Sequence, residues 1–303
     1  MAERFTVDAA GSRADRFLAA RVPGAGRRAL AEAFDAGRVR VNGKRAKKGQ
    51  MLAAGDVVEL EGAIASAGGE PPVADAAEGA ALVVLFEDAR LVVVAKAAGP
   101  ATHPLLPGER GTVANAVVAR WPSCAGASEA PREGGAAHRL DAGTSGALAF
   151  ARDRAAWLAL RAAFHEGRVE KSYLALVEGE VGRGGEVDLP IVQRGARALV
   201  VPGDPDGLDA STRYEVEQRY NGYTLLRCHA ETGRMHQVRV HLAFAGMPIV
   251  GDATYGTPRA GLTGHFLHAA TLRLPHPDGG RTVSIEAPLP EERRALLDSL
   301  PAR

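Results

Sequence analysis

The spacing of apolar side chains changes period several times along the chain, and each change marks an element. In "RADRFLAARV", Phe17, Leu18 and Val22 recur at helical spacing, Ser12 stands where a cap belongs and Pro23-Gly24 ends the run. A second helix is predicted over "GRRALAEAFDAGR", with Leu30, Ala33 and Phe34 on one face and Gly37 as its stop. The period then falls to two. "RVRV", the dipeptide Asn42-Gly43 and a basic return predict a tight type I′ hairpin, closed by a strand in "AAGDVVEL". Residues 1–61 therefore read as one small domain of two helices and a hairpin.

"EGAIASAGGEPPVADAAEGA" follows, with no period that could bury a face, so residues 62–80 are expected to form a flexible linker. From Ala81 the pattern becomes strand-like: "ALVVLFED" and "ARLVVVAKAAG" predict a hairpin, and "TVANAVVARW" a helix. "PSCAGASEAPREGG" reads as loop, and "GALAFARD" as a strand with Leu148 and Phe150 facing one way. Asp153 should cap a helix carrying Trp157, Leu160, Arg161 and Phe164 and ending at Gly167, before the strand "KSYLALVEG". "MHQVRVHLAFAG" predicts a further helix, with His236 and Arg239 on one face and Gly246 at its end. The second domain is taken as residues 81–303, and no internal repeat is present.

Composition narrows the class. With 303 residues, 46% hydrophobic and 24% charged, the chain can bury an ordinary core in two domains. Its apolar runs are too short for a membrane span, and "MAERFTVDAAGSR" lacks the pattern of a signal peptide, so a cytoplasmic protein without membrane partners is expected. Cys124 and Cys228, in no C-x-x-C pair, are expected to be reduced packing residues.

The formal charge of +1 hides an uneven distribution. Residues 12–50 hold eleven Lys or Arg against three Asp or Glu, a balance of +8, which leaves −7 for the rest. Arg27 and Arg28 sit in the first turn of a helix, where they oppose its dipole, and Arg40, Lys44, Arg45, Lys47 and Lys48 surround the hairpin. These seven are candidate phosphate contacts; a solvated helix face is the alternative use of such charge.

The densest candidate chemistry lies in "AAHRLDAGTSGALAF", residues 136–150. A serine nucleophile elbow needs G-x-S-x-G between strand and helix, whereas Gly143 to Ala147 lacks the last glycine and leads into a strand. A phosphate loop fails because no lysine follows Gly146. A single carboxylate, Asp141, acting as nucleophile at a sugar or base, survives; it requires a nearby cation to keep it ionised. Asp141 could also be a turn residue bonding through Thr144. His236 and His241, five apart, are off the spacing of a helical metal pair, and no metal site is expected.

"HRLDAGTSGAL" resembles the hallmark motif of the RluA-type pseudouridine synthases at every fixed position, through His138, Arg139, Leu140, Asp141, Thr144, Ser145 and Gly146. "KSYLALVEG" is similar to the family's Lys-x-Tyr strand, and "ETGRMHQVRVHLAFAGMPIVGDATYG" to its Thr-Gly-Arg-x-His-Gln-x-Arg segment, which includes His236. Ala95, Ala97 and Met235 depart from the pattern. The N-terminal unit resembles the S4-like RNA-binding domain through "GRVRVNGK" and "AAGDVVEL", with Ala14 and Gly26 as departures.

The resemblance implies an α+β protein: a catalytic domain with a mixed, mainly antiparallel sheet, a central cleft and flanking helices, plus a small S4-like αα-hairpin domain. It implies isomerisation of uridine in RNA, with ribosomal RNA of the large subunit preferred over tRNA. Asp141 would be the nucleophile, Arg239 its ionic partner, Tyr173 the ring against the flipped uracil and Arg139 the residue entering the space the base leaves. No cofactor is implied, and a monomer is expected. A noncatalytic RNA-binding assembly factor that keeps the fold is the competing reading.

Overall fold

The computed structural model describes residues 2–22, 27–62 and 70–301; the side chains of Arg27 and Arg28 lie outside the described residues. Two compact units divide the chain, Met1–Glu70 and Pro71–Arg303.

The first unit runs β1 (Ala2–Thr6), α1 (Ala14–Arg21), α2 (Arg27–Asp35), β2 (Val39–Val41), β3 (Lys44–Arg45) and β4 (Val57–Glu61), with the sheet ordered β1-β4-β2-β3. Phe17, Leu18, Leu30, Ala33 and Phe34 close over Val39, Val41, Val58 and Leu60, so the two helical stripes meet the alternating strands as the sequence predicts. Positive φ at both Asn42 (50°) and Gly43 (77°) gives the twist that a two-residue hairpin needs. Two details differ. Strand β1 carries no clear alternation and is held by pairing with β4. Arg13, not Ser12, is the N-cap of α1, because the Gln50 carbonyl receives the Ala14 N–H at 2.9 Å and no side-chain cap forms.

The second unit runs α3 (Ala76–Ala81), β5 (Val83–Glu87), β6 (Leu91–Lys96), α4 (Val113–Arg120), β7 (Ser145–Ala151), α5 (Arg154–His165), β8 (Glu170–Glu178), β9 (Gly185–Asp188), β10 (Ile191–Arg194), β11 (Arg197–Val200), β12 (Ser211–Tyr220), β13 (Tyr223–Ala230), α6 (Gln237–Phe244), β14 (Leu267–Pro275), β15 (Thr282–Glu286) and α7 (Glu291–Ser299). Its main sheet is ordered β5-β6-β7-β14-β8-β13-β12-β9, with β15 on β14; β10 and β11 form a separate hairpin. All main-sheet pairings are antiparallel except β7 with β14. Strand β7 is buried on both faces: Ala147, Ala149 and Ala151 pack toward Trp157 and Leu160 of α5, while Leu148 and Phe150 pack toward Val113 and Val117 of α4. Helix α5 is capped by Asp153, whose side chain accepts the Ala156 N–H at 3.0 Å.

The expectation of a flexible stretch through residue 80 is corrected for 71–80. Asp75 caps α3, and the side chain of buried Asn115 donates to the Val73 carbonyl at 2.8 Å. Gly79 lies so close to the Ala116 carbonyl on α4 that a Cβ would come within 2.9 Å. The order here is supplied by α4, so the local composition could not reveal it. Among the described residues no helix is long and apolar enough to cross a membrane.

Candidate active site

Asp141 lies four residues before β7, at the point where β7 meets β14 in the one parallel pairing. Its carbonyl accepts the Thr144 N–H at 3.0 Å, so the local turn forms, but its carboxylate is free of that turn and faces a cleft of about 510 Å³. Two buried cations grip the loop from behind. Lys96 donates to the carbonyls of Ala142 at 2.9 Å and Thr144 at 2.8 Å, and to that of Ala97 at 2.9 Å. Arg293 of α7 donates to the carbonyls of Gly143, Thr263 and His265, at 3.2, 3.3 and 2.8 Å. Three successive loop carbonyls are thus bound to a buried positive charge. Burial lowers both cations, Lys96 to about 7, while Asp141 pulls Lys96 upward.

The motif residues around Asp141 hold geometry. His138 Nε2 accepts the Ala149 N–H at 3.1 Å, which joins the loop to β7. Thr144 bonds His265 at 2.8 Å and Ser145 bonds His268 at 2.9 Å. Burial depresses His138 to about 3 and His265 to about 4, so both rings are neutral at pH 7. Gly146 has φ of 122°, and a Cβ there would come within 2.3 Å of the Ala269 carbonyl on β14.

Arg239, on α6, reaches Asp141 Oδ2 through Nη1 at 2.9 Å. Its other edge forks onto Asp252, Nε to Oδ2 at 2.7 Å and Nη2 to Oδ1 at 2.9 Å. Burial opposes the Arg239 charge, but the bonds to Asp252 and Asp141 outweigh it and raise its pKa. The Asp252 carboxyl is likewise held low by Arg239 against its burial. A second carboxylate therefore exists beside Asp141, where the sequence reading had a lone one. It is 1% exposed, and its Oδ1 also accepts the N–H groups of Thr254 and Tyr255, so its oxygens are committed to holding Arg239.

His236 is not on the helix with Arg239: it is the N-cap of α6 with φ of 55°, and its Nε2 stands 3.9 Å from Asp141 Oδ2. His241 is a buried bonding residue, to Thr212 and the Leu189 carbonyl. Tyr173, on β8, lines the same cleft; burial and the Asp141 charge raise its phenol pKa, so it stays protonated at neutral pH. Arg139 lies exposed on the cleft wall.

Sequence reasoning missed Lys96, Asp252, Tyr255, His265 and Arg293. A lone lysine inside the β-branched run "LVVVAK" was a usable signal for a buried charge, and Asp252 and Tyr255 lie in the quoted "VGDATYG". Among the described residues no group of three or more His, Cys, Asp or Glu could hold a metal ion. Cys124 and Cys228 are buried and free, with thiols pushed up to about 12 by burial.

In the first unit Arg40, Lys44, Arg45, Lys47 and Lys48 are exposed. Arg45 also donates to the Asp35 carbonyl at the end of α2, so part of its charge serves the fold.

A family model described as RNA pseudouridylate synthase matches residues 90–244. The chain is 35% identical to a ribosomal large subunit pseudouridine synthase D of Xanthomonas campestris, over 96% of this chain and 90% of the relative. It is also 35% identical to the ribosomal large subunit pseudouridine synthase C of Escherichia coli K12, over 97% and 95%. Among solved structures, human RNA Pseudouridylate Synthase Domain Containing 4 shares the fold, with a TM-score of 0.59 at 23% identity, over 73% of this chain and 94% of that one.

Proposed function

Because the chain belongs to the RNA pseudouridylate synthase family, we propose that it isomerises uridine in ribosomal RNA of the large subunit, with Asp141 as the nucleophile. The observation that carries this reading is the Asp141 carboxylate in an open cleft, with Oδ2 bound to Arg239 and Oδ1 accepting no hydrogen bond among the described residues. The printed names of the Xanthomonas and Escherichia relatives support the choice of ribosomal RNA.

The reaction breaks N1–C1′, turns the base, forms C5–C1′, removes the C5 proton and leaves a proton on N1. It is redox-neutral and consumes no water, so no cofactor enters the proposal. Hydrolytic sugar chemistry uses two available carboxylates, and Asp252, which shares Arg239 with Asp141, is committed to that guanidinium and is not available as a second one. A stacked uridine must first be extruded, at a cost of a few kcal/mol. Arg139, exposed on the cleft wall, is the residue proposed to fill the vacated space with its planar guanidinium. Tyr173 gives the uracil a π face, and as a protonated phenol it moves the C5 proton only by giving up its own. The first unit is read as an S4-like RNA-holding domain through Arg27, Arg28, Arg40, Lys44, Arg45, Lys47 and Lys48. The proposed enzyme works as a cytoplasmic monomer.

Purified protein should release tritium from large-subunit ribosomal RNA labelled at uridine C5, and Asp141→Ala should release none. Absence of release by the wild type from both ribosomal and tRNA transcripts would overturn the activity; release from tRNA alone would overturn the substrate.

A further inference from the structure

The left-handed backbone of His236 is one of two such non-glycine conformations among the described residues; the other is the hairpin turn at Asn42. A residue held there at a helix entrance is strained, and the surroundings must impose it. The imposed position puts the ring between Tyr255 and Asp141. Its Nδ1 lies 2.9 Å from the Tyr255 hydroxyl, the rings meet edge to face at 5.7 Å, and Nε2 lies 3.9 Å from Asp141 Oδ2, past hydrogen-bond length but close enough for the dipole of an N–H there to act on the carboxylate charge.

The proton positions follow from counting donors. The Tyr255 oxygen accepts the Ala198 N–H at 2.8 Å and has one proton of its own to give. Given to His236 Nδ1, that proton finds an acceptor, and the imidazole then carries its hydrogen on Nε2, facing the carboxylate. The reverse arrangement strands the phenol proton and turns a ring lone pair toward Oδ2. Burial lowers the pKa of the ring and favours its neutral form, with the charges of Asp141 and Asp252 acting against it and those of Arg239 and Arg139 acting with it.

We propose that Tyr255 and His236 are positioning residues: Tyr255 fixes His236 as the Nε2–H tautomer, and this N–H joins Arg239 in orienting Oδ2, which leaves Oδ1 of Asp141 as the reacting oxygen. The assignment of a reacting oxygen rests on the pseudouridine synthase reading. Tyr255 also takes the Ala198 N–H of β11, so the orientation of the carboxylate is tied to the seating of the β10–β11 hairpin.

The tautomer is read directly on the full-length wild type by two-bond proton–nitrogen correlation of 15N-histidine-labelled protein at neutral pH, with His236 assigned by its absence in His236→Gln. A pyrrole-like Nε2 and pyridine-like Nδ1 are expected, and Tyr255→Phe should move both toward an average of the two tautomers. In tritium release, Tyr255→Phe should lower kcat about tenfold with KM unchanged, the effect of one positioning hydrogen bond. His236→Gln, whose amide can reach the place of Nε2, should retain several-fold more turnover than His236→Asn, whose amide falls near Nδ1. A wild-type ring protonated on Nδ1, a Tyr255→Phe enzyme as fast as wild type, or an Asn variant better than the Gln variant would each overturn the proposal. A wild type without turnover on RNA would instead overturn the isomerase reading, while the tautomer is still read.

Discussion

At the scale of the residue, Arg239 carries the largest share of the site. One guanidinium holds Asp141 with one nitrogen and Asp252 with two, and only a planar fork can do both at once. Arg239→Lys should therefore keep the charge and lose the site: kcat for tritium release should fall at least about a hundredfold, since the aspartate loses its fixed orientation. With Asp252 left buried and poorly paired, the urea midpoint should drop by an amount equivalent to about 3 kcal/mol. Buried histidines add a pH dependence. His138 and His265 bind protons only near pH 3 and 4 when folded, but near 6.5 once unfolded, so the unfolded chain takes up more protons in between. Stability should consequently be unaffected by these groups above about pH 6.5 and fall as pH drops toward 4, by about 1.4 kcal/mol per pH unit for each ring. Urea melts at pH 7, 6, 5 and 4 measure this, and a flat midpoint across that range would contradict it.

At the scale of the element, the junction of β7 and β14 fixes where the aspartate loop can lie. The pairing passes His268 beside Ser145 and Ala269 beside Gly146, and the missing side chain at 146 lets the two backbones approach. Gly146→Ala should cost about 3 kcal/mol or more, because the new Cβ meets a backbone carbonyl and the φ of 122° is itself hostile to a side chain. Thermal unfolding followed by circular dichroism reads this, and a melting temperature within a degree of the wild type would show that β14 can yield. Of this unit, β5 to β8 and helices α4, α5 and α6 were legible because their signals are local, such as Asp153 as a cap and the alternation of "GALAFA", whereas β9 to β15 and α7 were not read from the sequence. Helix α3 and the sheltering of Asp252 were not legible, since each depends on a partner distant in the chain.

At the scale of the whole molecule, charge is divided between the units, with the basic excess at residues 12–50. An RNA enzyme whose remaining chain is acidic gains affinity from such a concentration, and the contribution should be screened by salt. Replacing Lys44, Lys47 and Lys48 together by Glu should raise KM for ribosomal RNA about tenfold or more and leave kcat nearly unchanged. The slope of log affinity against log salt should become shallower by about two to three. Unchanged KM and slope would remove the hairpin from the RNA-binding surface.

The sequence by itself determined the periods of the helices and strands, the Asn42-Gly43 turn, the concentration of basic charge and the motif that singled out Asp141. These are properties of neighbouring residues, and spacing along the chain expresses them directly. Only the tertiary structure decided how that carboxylate is held. Arg239 stands 98 residues away, and Arg293 150 residues from the loop glycine it grips. Within "EERRALLDS", Arg293 looks like any exposed helical charge; its burial against three carbonyls is created by the packing of α7. Free energy of this kind belongs to a pair of positions, so neither partner's local sequence can display it.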